Sequence, residues 1–153
     1  MYYGHDIPFM YYSPATPCMR SLHQKLFEMK KEKLLILIVD DNMNFVKRII
    51  SLMEDLKNIG YINVATDYNE AVKFIDEEKP DLVLLDINLP GKSGIELLRR
   101  IKETGSKSEV IMITNHTDDY YKKLCHDLGA KYFLDKSIEF AMVPDIIGSF
   151  HLN

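Results

Sequence analysis

Residues 34–45 read LLILIVDDNMNF, six apolar residues running directly into two aspartates. An apolar run of that length, rich in Leu, Ile and Val, is what a strand covered on both faces requires, because no alternate position faces water. Two adjacent carboxylates at its end are costly together, since like charges resist ionising side by side unless a cation lies between them. Asp40 and Asp41 therefore either cap the helix that follows or hold a metal ion.

The rest of the chain repeats this opening. Short apolar runs at 62–66, 81–86, 110–114 and 131–134 supply four more strand candidates. Between them, Phe45, Ile49, Leu52, Met53 and Leu56 recur at helical spacing, as do Ala71, Phe74 and Ile75, then Ile95, Leu98 and Ile101, then Tyr121, Leu124, Cys125 and Leu128. Gly60, Lys79-Pro80, Gly105 and Gly129 are expected to end these helices, and Pro144 to open a last one reaching His151. Five strands alternating with helices predict a flavodoxin-like α/β fold. It is a doubly wound, five-stranded parallel sheet of order 2-1-3-4-5 with helices on both faces.

With 153 residues, 46% hydrophobic and 27% charged, the chain has room for one full core and a short appendage. Residues 34–153 form the expected domain. Residues 1–33 lie outside its rhythm: MYYGHDIPFMYYSPATPC is irregular, and Met19, Leu22, Leu26 and Met29 suggest a short amphipathic helix. This extension is read as an arm, or as a docking or homodimer-forming segment. It carries five basic and three acidic side chains, so a whole-chain charge of −4 leaves −6 for the domain. Such an acidic domain is a poor ligand for nucleic acid. No apolar stretch is long enough to span a membrane, and the N-terminus lacks a secretory pattern. Two isolated cysteines, Cys18 and Cys125, fit a reducing, cytoplasmic setting.

In the predicted order, strands 1 and 3 are neighbours, and their carboxyl ends bring Asp40, Asp41 and Asp86 to one sheet edge. Oxygen ligands of this kind suit Mg²⁺. Thr114 ends the fourth strand and Lys136 follows the fifth, adding a hydroxyl and a point positive charge. Metal, nucleophile and neutralising donors are the parts that phosphoryl transfer needs.

The segments VDDN (39–42), LLDINLPGKSG (84–94), IMITNH (111–116) and GAKYFLDKS (129–137) together resemble the receiver domain of two-component response regulators, over residues 34–153. The resemblance implies a phosphoacceptor switch, not an enzyme, with slow autodephosphorylation and self-phosphorylation from small donors as its only turnover. By the same resemblance Asp86 accepts the phosphoryl group from a histidine kinase or histidine phosphotransfer protein. Asp40, Asp41, Asp86 and the backbone carbonyl of Asn88 hold Mg²⁺, Thr114 and Lys136 contact the phosphoryl group, and Phe133 is the switch aromatic paired with Thr114. Three positions depart from the pattern: Ser137 stands where most receivers have proline, Asn115 where a small residue is usual, and Phe133 where tyrosine is common. The last helix candidate reaches almost to Asn153, so a single-domain regulator acting through protein contact on a downstream target is expected.

Other classes fit less well. A haloacid-dehalogenase-type phosphohydrolase wants a second acid where Asn88 stands. A flavin carrier wants a Ser/Thr/Gly-rich phosphate loop where DDNMNF places acids. A degenerate receiver that binds partners without phosphorylation is the alternative.

Overall fold

The computed structural model describes residues 33–150. Residues 1–32, with the expected short helix of the N-terminal extension, and residues 151–153 lie outside the described residues. The last helix, expected to reach His151, ends at Gly148, where the Ser149 N–H turns back to the Asp145 and Ile146 carbonyls. The elements run β1 (Leu34–Val39), α1 (Met43–Met53), β2 (Ile59–Ala65), α2 (Tyr68–Glu78), β3 (Leu82–Leu85), α3 (Gly94–Glu103), β4 (Glu109–Thr114), α4 (Asp119–Asp127), β5 (Tyr132–Asp135), a 3₁₀ turn (Phe140–Met142) and α5 (Val143–Gly148). The strands form one sheet of order β2-β1-β3-β4-β5 with every pair parallel, which is the flavodoxin-like arrangement expected.

Alternation along each strand divides the core in two. Ile36, Ile38, Leu84 and Ile113 point to one face and meet Ile49 and Met53 of α1 and Ile147 of α5. Leu37, Val39, Leu85 and Met112 point to the other, against Phe74, Leu97, Ile101 and Cys125 of α2 to α4. Almost all of these side chains are fully buried, each contributing roughly 1.5–3 kcal/mol of transfer free energy. Burial also pushes the free Cys125 thiol up to about 11, so it acts as a small apolar residue and not as a nucleophile.

Local chemistry sets the helix starts. Asn42, Asp67, Ser93 and Asp118 are the N-caps of α1 to α4, each side chain accepting a backbone N–H three residues on. Ser93 and Glu96 complete a reciprocal capping box. The stops agree in part with expectation. Gly105 and Gly129 follow the last residues of α3 and α4 with positive φ, and Lys79 itself adopts the left-handed conformation after α2.

Gly60 departs from its expected role. It lies within β2 at a register shift between β1 and β2, where a Cβ would come within 3.0 Å of the Lys33 side chain. α1 stops earlier than the apolar spacing implied, at Met53. Leu56 lies instead in a turn closed by its N–H to the Met53 carbonyl, and Asn58 Nδ2 anchors that turn by donating to the Ile147 carbonyl at 2.9 Å. Asp81 lies just outside β3, its carboxylate accepting the Leu35 N–H at 2.8 Å. β5 begins and ends one residue later than expected, so that its last residue, Asp135, adjoins Lys136.

Candidate phosphoacceptor site

The sheet register places the site. Val39 of β1 is level with Leu85 of β3, and Thr114 of β4 with Asp135 of β5. Asp40, Asp86 and Lys136 are the residues next after those strand ends. Carboxyl ends of parallel strands at a change of strand order are where this architecture binds ligands.

Lys136 joins the acids. Its Nζ lies 2.6 Å from Asp40 Oδ2 and 2.9 Å from Asp86 Oδ2. The three residues are only 9%, 2% and 7% exposed, so this is a buried charge cluster. Burial drives the Asp40 carboxyl above its ordinary value, against the hydrogen bond and charge of Lys136, which pull it down. For Lys136, burial works downward, but hydrogen bonds to Asp40 and Asp86 outweigh it and raise the ammonium above its ordinary value. The Phe45 ring, 4.6 Å from Nζ, closes the apolar side of the cluster.

The remaining expected residues fall as follows. Asp41 is exposed, yet a carboxylate oxygen of each of Asp40, Asp41 and Asp86 lies within 4.8 Å of the others. Asn88 donates its N–H to Asp86 Oδ1 at 3.3 Å. Thr114 is fully buried at the end of β4, and its Oγ1 accepts the His116 N–H at 3.2 Å. Phe133 is half-buried and packs on the α2–α4 face of the sheet. Neither Asp40 nor Asp41 caps α1. Asn42 does so, while Asp40 Oδ1 accepts the Asn42 N–H at 2.8 Å. The acids are thereby left for other work. Sequence reasoning missed the cap because Asp40, Asp41 and Asn42 are all competent N-caps. It read Phe45 as core, and only the fold shows that its ring meets Lys136.

Gly94 fixes the loop that carries Asp86. It opens α3, donates its N–H to the Ile87 carbonyl at 2.8 Å, and passes against the Asp86 backbone. A Cβ there would overlap the Asp86 carbonyl oxygen, and would lie 2.9 Å from its carbon and 3.1 Å from Ile87 Cα. Backbone cannot rotate away as a side chain can. Gly94→Ala is therefore expected to cost about 2–3 kcal/mol. Gly105→Ala, strained by its φ of +68° but with open space around it, is expected to cost about 1 kcal/mol. Urea unfolding of the two variants side by side checks this; equal losses would mean the close approach is not rigid.

Residues 36–147 match the response regulator receiver domain family. Over 105 residues the chain is 34% identical to the transcriptional regulatory protein DltR of Streptococcus agalactiae, a match covering 68% of this chain and 46% of that protein. The chain thus matches about half the length of that curated relative. Among solved structures, the signal receiver domain of a Luxo repressor protein from Vibrio parahaemolyticus superposes with a TM-score of 0.71 at 25% identity, covering 75% of this chain and 87% of the other. The phosphorylated cyanobacterial phytochrome response regulator RcpA does so with a TM-score of 0.66 at 25% identity, covering 76% and 89%. With the strand order, the buried Asp–Lys–Asp cluster and a family match over nearly three-quarters of its length in agreement, the chain belongs to the response regulator receiver domain family of two-component signalling.

Proposed function

We propose that Asp86 accepts a phosphoryl group from a histidine kinase or histidine phosphotransfer protein, and that the added charge changes which proteins this domain contacts. The observation that carries the reading is the pair of ionic contacts from Lys136 to Asp40 and Asp86 at the carboxyl edge of the sheet. It holds an ammonium beside the oxygen that would bear the phosphoryl group. In the transfer, an Asp86 carboxylate oxygen forms a bond to phosphorus as the donor's P–N bond breaks. The electron pair stays on the imidazole nitrogen, which takes up a proton. Lys136 lies close enough to the acceptor to pair with a phosphoryl oxygen. Thr114, now turned to the His116 N–H, would exchange that partner for the new charge and carry its loop with it.

The donor set fits Mg²⁺. Three carboxylates with oxygens within 4.8 Å of one another present hard ligands only, and the burial of Asp40 disfavours its charge unless a cation compensates it. Asp40, Asp41, Asp86 and the Asn88 carbonyl would hold the ion, which would offset the negative charge that repels a donor. Self-phosphorylation from small donors and slow loss of the phosphoryl group are the only turnover the reading includes. No helix among the described residues is long and apolar enough to cross a membrane.

Intact mass tests the reading. After incubation with Mg²⁺ and acetyl phosphate, the full chain is expected to gain one phosphoryl adduct, and a chelator is expected to prevent it. A folded chain that gains none under these conditions would be a phosphorylation-independent binding module instead.

A further inference from the structure

Two of the positions that depart from the family pattern meet in space. Asn115 and Ser137 are the residues next after Thr114 and Lys136, and Ser137 Oγ donates to Asn115 Oδ1 at 3.2 Å. Each side of this contact is held in place by its own loop. Lys136 N–H donates to the Thr114 carbonyl at 2.9 Å, which fixes the two strand ends side by side. Ser137 N–H donates to Asp135 Oδ1 at 2.7 Å, and Asp135 N–H donates to Glu139 Oε2 at 2.7 Å. On the other loop, Thr114 Oγ1 accepts the His116 N–H. Asn115 and Ser137 are exposed, while Asp86, Lys136 and Thr114 beside them are buried.

We propose that the Asn115–Ser137 hydrogen bond is a clasp across the mouth of the acceptor pocket, and that it slows both entry of a small phosphodonor and hydrolysis of the phosphorylated state. The proposal rests on Asp86 being the acceptor. A phosphoryl group on Asp86 has to find room between the loops carrying Thr114 and Lys136, and the clasp ties those loops together. Hydrolysis meets the same restraint. A water oxygen must reach phosphorus as the bond to the Asp86 oxygen breaks, its electron pair returning to the carboxylate and the water protons leaving with inorganic phosphate. Asn115 and Ser137 are positioning residues, acting through Thr114 and Lys136.

The test uses the full chain with Mg²⁺ and acetyl phosphate, following the rate of adduct formation and, after donor removal, the rate of adduct loss. Ser137→Ala removes the hydroxyl at an exposed position with almost no change in bulk. It is expected to raise both rates about three- to tenfold, the worth of one such hydrogen bond, while the folding equilibrium constant falls by no more than that same factor. Ser137→Thr keeps the hydroxyl and is expected to stay within roughly twofold of wild type. Asn115→Ala is expected to act at least as strongly as Ser137→Ala, and the double variant no more strongly than Asn115→Ala, because both remove one interaction. Wild-type rates in Ser137→Ala, or fully additive effects in the double variant, would overturn the clasp while leaving Asp86 as acceptor. Absence of any adduct in wild type and variants alike, with all of them folded, would overturn the acceptor reading and the clasp with it.

Discussion

Asp86→Asn is expected to abolish adduct formation, a loss of at least about a thousandfold, while the domain stays folded. The amide keeps the shape of the carboxylate but offers no anionic oxygen to attack phosphorus. Its remaining oxygen can still accept from Lys136 or from the Asn88 N–H, which now bond Oδ2 at 2.9 Å and Oδ1 at 3.3 Å. The substitution also removes a negative charge that raises the neighbouring Asp40 carboxyl. The lost Lys136–Asp86 attraction and the relieved Asp40–Asp86 repulsion oppose each other, so stability is expected to change by no more than about 1 kcal/mol. Intact mass and urea unfolding on the same sample separate lost chemistry from lost fold. An adduct that persists on Asp86→Asn at the wild-type rate would move the acceptor elsewhere, with Asp41 the first candidate because it is exposed.

That Asp40 and Asp86 could be placed together from sequence follows from how parallel sheets are built. LLILIV and LVLL are unbroken apolar runs, so both had to be buried strands, and the next residue after each had to emerge at the same edge. Lys136 was legible for the same reason, one residue beyond β5. What escaped the sequence depends on contacts through space. Gly60 looked like a helix stop because it follows an amphipathic segment, but the register of β1 against β2 makes it a strand residue at a bulge. Leu56 fits the apolar period of α1, yet the tie from Asn58 to the end of α5, some ninety residues on, fixes the turn that removes it from the helix. Thr114 was correctly set at the edge, while the direction of its hydroxyl, toward His116, is a matter of loop conformation. Asn115 and Ser137 each stood out as departures. Their meeting appears only when β4 and β5 lie side by side.

Lys136 raises a different expectation, about stability. Its ammonium is buried against two carboxylates, so Lys136→Met leaves Asp40 and Asp86 facing each other without their cation. Breaking a buried pair by removing one partner costs about 3–5 kcal/mol, and that loss is expected near neutral pH with no divalent cation present. Its pH dependence follows from the two shifts. Asp40 has a folded-state pKa above its ordinary 3.8, so its charged form opposes folding, and the opposition fades as pH falls through the raised value. Without Lys136 the carboxyl loses the hydrogen bond and charge that pull it down, so it rises further and takes its proton earlier. Lys136 is raised above 10.5, so its stabilisation is complete below 10.5 and is lost as pH climbs through the folded-state value. The deficit of Lys136→Met is therefore widest between neutrality and that alkaline limit, and it narrows as pH falls through the raised Asp40 value. Mg²⁺ should also stabilise the variant itself, by about 2.7 kcal/mol at a free concentration near a hundred times its Kd, if the three aspartates bind the ion. Urea unfolding near pH 7 and pH 5, with and without Mg²⁺, reads all of this. A loss that is the same at both pH values and indifferent to Mg²⁺ would show that Lys136 stabilises the domain chiefly by packing its stem over Phe45, and that the carboxylates carry little mutual repulsion.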